Sequence, residues 1–197
     1  VPAQSLERLL GLPPIQEFFS SLYLPMQVLL IMLLTDFTQY WVHRAFHQVP
    51  LLWRFHRVHH SVEVMDWLAG SRLHIFDVLV TRSISLIPMI LLGFSPEAIN
   101  IYLPILALQS VFLHCNLQFE MASLQKIITT PKFHHWHHTS DPGCTDRNFA
   151  ISLPLLDLLF GTYYSPPGKW PKQYGHTGPK IRATYLAHLL APFRRTQ

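Results

Sequence analysis

Apolar positions in this chain come in three long blocks rather than in amphipathic stripes. Residues 18–35 contain no charged side chain, and residues 24–34 are almost wholly aliphatic. About 20 such residues in a helix cross the hydrocarbon core of a bilayer. A first span is therefore expected over residues 18–41, leaving the membrane at Asp36, Tyr40 and Trp41, where an aromatic belt belongs. A second apolar block, residues 75–94, is interrupted only by Asp77 and Arg82, and a third, residues 98–119, has no Asp, Glu, Lys or Arg. Between them Gly93-Phe-Ser-Pro-Glu97 combines a helix stop with a Ser-Pro-Glu start, which predicts a tight hairpin of two antiparallel helices. The pattern predicts an all-α integral membrane bundle of three to four spanning helices (18–41, 75–94, 98–117). The intervening segments 42–74 and 118–197 form a helical cap, and residues 1–197 make a single membrane-embedded domain.

Sidedness follows from Lys and Arg. The N-terminal side and the hairpin carry only Arg8. The other side carries Arg44, Arg54, Arg57, Arg72, Lys126, Lys132, Arg147 and the basic stretch from Lys169 to Arg195. Positive loops stay in the cytoplasm, so the cap is expected there, in a bacterial inner membrane or endoplasmic reticulum. Arg82 lies about two turns inside the second span, where it is expected to snorkel, or to pair with Asp77 or a lipid phosphate.

Composition agrees with a membrane protein: 49% of residues are hydrophobic and 13% charged, about half the charge of an average soluble domain. The net charge of +4 is not gathered into a tract with interleaved aromatics, so nucleic acid is not an expected partner. Cys115 and Cys144 lack metal or redox spacing and cannot make a disulfide framework. The chain starts at Val1 without an initiator Met and reads as a fragment or a processed product.

Histidine changes the picture most. Eleven of the thirteen His fall between His43 and His138, in the sets His43-x-x-x-His47, His56-x-x-His59-His60, single His74 and His114, and His134-His135-x-His137-His138. On a helix, positions i, i+3 and i+4 share a face, so each set can aim two or three imidazoles at one point. By topology all of these sets converge on the cytoplasmic face. So many His exceed what one tetrahedral zinc uses, and two metals are implied. Imidazole suits Zn, Cu, Fe and Ni alike. Zinc does no redox chemistry, whereas two irons keep a position open for dioxygen, and a di-iron oxygenase fits best. No Glu-x-x-His of the soluble di-iron bundles occurs.

These motifs resemble the fatty acid hydroxylase and sterol desaturase superfamily of integral membrane di-iron enzymes. The resemblance rests on H-R-A-F-H from His43, H-R-V-H-H from His56, P-K-F-H-H-W-H-H-T from Pro131, H-C-N from His114, T-D-R-N-F-A from Thr145 and L-P-L-L-D-L-L-F-G-T from Leu153. It implies O2-dependent hydroxylation or desaturation of a sterol, sphingolipid or fatty acyl-type lipid at two Fe ions. It also implies metal ligation by His43, His47, His56, His59, His60, His134, His137 and His138, with His114 added and His74 as the tenth. The family often has Arg-x-His-Pro at the start of the second span, where this chain has Arg72-Leu-His74-Ile75. Some members carry a further His where this chain has Gln118.

Ligating His usually donate their other N–H to a carboxylate or carbonyl. Asn116, Asp146, Asn148 and Asp157 are placed for that supporting role, together with Asp36 and Asp77; Asp157 can equally cap the turn before Phe160, and His135, without which its box is already complete, is expected either behind the ligands or at the surface. With no NAD or flavin fingerprint, electrons are expected from an external carrier of cytochrome b5 or ferredoxin type, steered by the basic face. Zinc is a possible substitute in purified protein. The rival readings are a histidine-rich membrane metal transporter and a zinc-dependent membrane hydrolase.

Overall fold

A computed structural model describes residues 12–121 and 124–194, which leaves Arg8 and Arg195 of the charge count outside the described residues. The described residues are all-helical, with one isolated antiparallel bridge between Thr139 and Tyr174. The eight α-helices are α1 (Leu12–Ser21), α2 (Leu24–Gln48), α3 (Pro50–His56), α4 (Ile75–Leu91), α5 (Pro96–His114), α6 (Pro131–His137), α7 (Leu155–Leu159) and α8 (Tyr185–Leu190). Short 3-10 turns lie at His59–Ser61, Ala69–Ser71 and Ala191–Phe193.

The first apolar block is not one helix. Pro25 sits in the first turn of α2, with Tyr23 (φ −54°, ψ 134°) as its N-cap, because a proline is best accommodated in the first turn of a helix. The break moves the helix towards the C-terminus, and α2 runs on to Gln48, so His43 and His47 ride on its last two turns. Val49-Pro50 then stops α2 and starts α3 by the same rule.

The predicted turn forms, and the two helices it joins pack mainly on α2 rather than on each other. Gly93 (φ +80°) ends α4, and Ser95 caps α5 by accepting from the Ala98 N–H at 3.2 Å. A Cβ on Gly93 would meet the Gln16 Cα at 2.5 Å, so both its conformation and α1 exclude a side chain there. Among the described residues one helix, α5, is long and apolar enough to cross a membrane. Helix α4 has 17 residues, about 26 Å of helix.

Helices α2, α4 and α5 meet around a small apolar core of Ile31, Met89, Phe94, Ala98 and Tyr102. Their outward faces expose Leu29, Leu33, Phe37, Leu79, Ile87, Ile101, Ile105 and Leu108. Polar clamps supplement the core. Gln27 donates to the Leu22 carbonyl at 2.8 Å and accepts from the Ser95 N–H at 2.9 Å. Gln39 donates to the Ser85 hydroxyl at 2.6 Å and the Thr81 carbonyl at 2.9 Å. Asp36 accepts from the backbone N–H groups of Ser152 and Leu153 at 2.9 and 2.7 Å, tying α2 to a segment 116 residues away.

Asp36 is 4% exposed, so Asp36→Ala strands two donors, each costing about 1–3 kcal/mol when buried without a partner. A loss of about 2–5 kcal/mol is expected in the unfolding of the purified protein. Asp36→Asn, which keeps one acceptor oxygen, is expected to lose less; equal stability of all three proteins would contradict the clamp.

Candidate metal centre

Each His set is delivered by a helix end. His43 and His47 lie one turn apart on α2, His56 closes α3, and the next 3-10 turn carries His59 and His60. His114 is the last residue of α5, while His134 and His137 lie on α6 and His138 is its C-cap. Nine of the ten expected ligands come together in two groups: His43, His47, His56, His60 and His137 in one, and His59, His114, His134 and His138 in the other. Within each group the candidate nitrogens lie within 4.8 Å of one another.

The motifs do not map one to one onto the groups. In both H-x-x-H-H boxes the residues four apart, His56 with His60 and His134 with His138, share a group, and the middle His59 or His137 goes to the other. Each box thereby contributes to both.

Hydrogen bonds fix the protons. The Nδ1 atoms of His43, His59, His114 and His137 donate to the carbonyls of Phe149 (2.8 Å), Arg72 (3.2 Å), Ser110 (2.7 Å) and Arg147 (2.8 Å). His56 and His47 donate from Nδ1 to Asp77 (2.7 Å) and Asp146 (2.9 Å). A carbonyl only accepts, so the ring proton sits on Nδ1 and Nε2 keeps a bare lone pair. Yet Nε2 of His43 lies 3.1 Å from that of His56, and Nε2 of His59 lies 3.3 Å from that of His114. These are lone pairs facing lone pairs with no proton between them. His47 Nε2 is buried without any partner.

A cation resolves this arrangement, because it turns mutual repulsion into shared ligation. Imidazole nitrogens bound at about 2.0–2.1 Å, at angles of 90–110°, are about 2.9–3.4 Å apart. The Nε2 pairs His60–His137, His114–His134 and His134–His138 stand at 3.0, 3.0 and 3.1 Å. The residues fit a pair of transition-metal ions.

Electrostatics point the same way. Burial, followed by the neighbouring imidazoles, pushes the pKa of His43 down to about 3. Burial first and other His next also hold His47, His59, His60, His134, His137 and His138 well below the usual histidine range. The neutral ring is the form that binds metal.

The loop 146–150 is shaped to aim the supporting carbonyls. Asp146 and Asn148 adopt φ of 58° and 60°, a left-handed conformation that Asn and Asp tolerate best among residues with a side chain. Asn148 donates to the carbonyls of Phe133 and Tyr164, both at 2.7 Å. Asp157 accepts from the N–H groups of Phe149 (2.8 Å) and Ala150 (2.9 Å) and from the Thr162 hydroxyl (2.6 Å). It therefore both supports the ligand loop and closes the turn.

The remaining expected residues stand apart. His74 caps α4: its Nδ1 accepts from the Phe76 N–H at 3.0 Å and its Nε2 donates to the Leu189 carbonyl at 3.2 Å, so neither nitrogen is directed at the groups. His135 donates to the Cys115 carbonyl at 3.1 Å and accepts from the Tyr174 hydroxyl at 2.8 Å. It is wholly buried and joins α6 to the end of α5. Asn116 and Gln118 are exposed past the end of α5. Sequence reasoning missed the four carbonyls of Arg72, Ser110, Arg147 and Phe149, since any residue type supplies one.

Two cavities border the groups. One of about 130 Å3 is walled by α2, α4 and α5 and reaches His43, His56, His59, His114 and His134. The other, about 240 Å3, reaches His47, His60 and His137 from loop residues that include Ser140, Asp146 and His176.

The profile of the fatty acid hydroxylase family matches residues 28–162, which hold all nine grouped His. The chain belongs to this family. Among curated proteins, this fatty acid hydroxylase domain is 34% identical over 170 residues to the ornithine lipid hydroxylase OlsE of Rhizobium tropici, covering 86% of this chain and 51% of that protein. It is 31% identical over 128 residues to alkylglycerol monooxygenase of Danio rerio (65% of this chain, 28% of that protein). To very-long-chain aldehyde decarbonylase GL1-5 of Oryza sativa subsp. indica it is 32% identical over 139 residues (64% and 22%). The chain thus spans about half the length of the first relative and less of the others. No solved structure matches it.

The lowered histidine pKa values set a pH dependence. Below pH about 6.5 the unfolded chain binds protons that the folded rings refuse, so stability of the metal-free protein falls with pH through the window from about 6.5 towards 3. The slope is about 1.4 kcal/mol per pH unit for each such His. An unfolding midpoint that is unchanged between pH 7 and pH 5 in the metal-free protein would contradict the buried neutral cluster.

Proposed function

We propose that this chain is a multi-pass membrane oxygenase that hydroxylates or desaturates a C–H group of a lipid, using two irons held by His43, His47, His56, His60 and His137 and by His59, His114, His134 and His138. The observation that carries this reading is the opposition of protonless Nε2 atoms at 3.1 Å in His43–His56 and 3.3 Å in His59–His114 at one end of a cavity walled by apolar helices. Two irons bound there would supply activation of dioxygen for oxidation of an unactivated C–H bond.

The chain's own residues have definable tasks. Asp77, Asp146 and the carbonyls of Phe149, Arg72, Ser110 and Arg147 lock six of the nine rings, those of His43, His47, His56, His59, His114 and His137, in one orientation and one tautomer. Phe46, Leu73, Leu106 and Leu113 line the cavity and keep water from a reactive site. Spans over residues 18–41, 75–94 and 98–117 are supported by the apolar outward faces of α2, α4 and α5, which in water would make an exposed patch far larger than soluble monomers carry. The basic residues of the His side support a cytoplasmic cap, residues 42–74 and 118–197, and docking of an acidic electron carrier such as a cytochrome b5 or ferredoxin. A lipid substrate is supported by the hydroxylase and monooxygenase relatives, whose names refer to an ornithine lipid and to alkylglycerols.

Metal analysis across single variants tests the ligand set. Ala at any of the nine grouped His is expected to lower metal per chain and reduce activity at least 10-fold, whereas His74→Ala and His135→Ala retain metal and lose stability instead. A flat metal profile would reject the site.

The reaction is tested by supplying the full-length iron-loaded protein with membrane lipid, a reductant and 18O2. An isotopically labelled hydroxyl, or a new double bond formed only when O2 is present, is expected, with no product from the zinc-loaded protein because Zn2+ does not cycle electrons. Equal turnover without oxygen would point to the hydrolase instead.

A further inference from the structure

The cavity between α2, α4 and α5 is lined in part by a cation that the metal site does not use, Arg82, which is exposed rather than enclosed. Of its two charged lining residues, Asp77 is engaged by His56 at 2.7 Å. Arg82 has no ion pair and no hydrogen bond to any other described residue. It lies seven residues into α4, about 10 Å from the helix start, within the stretch read as a membrane span. There an unpaired guanidinium is costly and needs a partner. Neither cavity glutamine serves it: the Nε2 groups of Gln39 and Gln109 are turned to Thr81 and Ser85 and to Thr129 and Ile151, and neither side-chain oxygen accepts a bond from Arg82. Helical side chains lean towards the N-terminus, which for α4 is the His74 end, where the imidazoles gather.

We propose that Arg82 reads the substrate: it binds the anionic oxygens of a lipid head, a carboxylate or a phosphate, and so presents C–H groups near that charged end, rather than the far end of the chain, to the His groups. The flat guanidinium fork matches two-oxygen anions. The inference rests on the oxygenase reading in taking this cavity as the substrate site, and its test is independent of turnover.

The full-length protein with its metals, in phosphatidylcholine nanodiscs, is titrated with three probes of one chain length: oleate, oleyl phosphate and oleyl alcohol. Wild type is expected to bind one or both anions at least about 10-fold more tightly than the alcohol, the scale of one charge-assisted hydrogen bond, and the preferred anion identifies the head chemistry. Arg82→Gln is expected to erase the preference with metal content unchanged, while Arg82→Lys retains part of it.

A preference that survives in Arg82→Gln would overturn the proposal, because the anion would then be held elsewhere, for instance by the metals. An equal loss for all three probes would also overturn it and make Arg82 a bilayer anchor. Should Arg82→Gln not accumulate, Arg82→Lys decides: a narrowed preference supports the proposal and an unchanged one rejects it. If the preference vanishes as expected but no lipid is oxidised by wild type, the anion site stands and the oxygenase reading falls; oxidation with an intact preference in Arg82→Gln gives the reverse.

Discussion

Nine buried imidazoles can share one small volume only if none of them is charged and none must share a proton with its neighbour. For six of the nine the surrounding architecture meets that condition, while His134 Nδ1 and His138 Nδ1 are buried without a partner. Carbonyls of Phe149, Arg72, Ser110 and Arg147 and carboxylates of Asp77 and Asp146 take the Nδ1 protons outward, and burial disfavours the imidazolium. What remains inside is a set of inward lone pairs, electrostatically unfavourable alone and favourable around cations. Folding and metal binding are therefore coupled, as at other metal sites assembled from distant parts of a chain.

Such a site strains the backbone that serves it. Asp146 and Asn148 both take left-handed φ values, and the two residues whose carbonyls receive ring protons, Arg147 and Phe149, alternate with them. Asp157 and Thr162 hold the end of this loop, and Asp36 anchors the next two residues to α2. This order is distributed over clamps rather than over a large apolar core. In the membrane bundle proposed above, lipid tails would compete with side-chain packing, and helix association would lean on close packing and interhelical hydrogen bonds of the Gln27, Gln39 and Asp36 kind.

The His boxes and the α4–α5 turn were legible in the chain because both are written in side chains with short-range spacing. Gly93 and Ser95 mark their turn, and i, i+4 His pairs mark a helix face. The break before α2 was missed although Pro25 signals it, since an unbroken apolar run outweighs one proline when periodicity is the guide. His74 stands apart from the two groups. It sits among ligand motifs, but a His just before a helix also makes a good cap, and only the coordinates show both of its nitrogens engaged. The carbonyl acceptors were invisible in principle, because a backbone group carries no residue signature.

The division of each H-x-x-H-H box between the two groups has a geometric cause. Residues four apart return nearly to the same face of a helix, at about 400° of rotation, while those three apart fall about 60° short of a full turn. One short helical segment can therefore feed two points on either side of its axis. With two such segments, from residues 56–60 and 134–138, meeting at the site, the four pair residues and the two middle residues interleave. That leaves two nearby centres of five and four donors. The centre of four includes three His that line the cavity walled by α2, α4 and α5. Three residues of the five-donor centre, His47, His60 and His137, border the loop cavity. The cavity among the apolar helices therefore borders both centres, since His43 and His56 of the five-donor centre line it as well, whereas the polar loop cavity borders the five-donor centre alone.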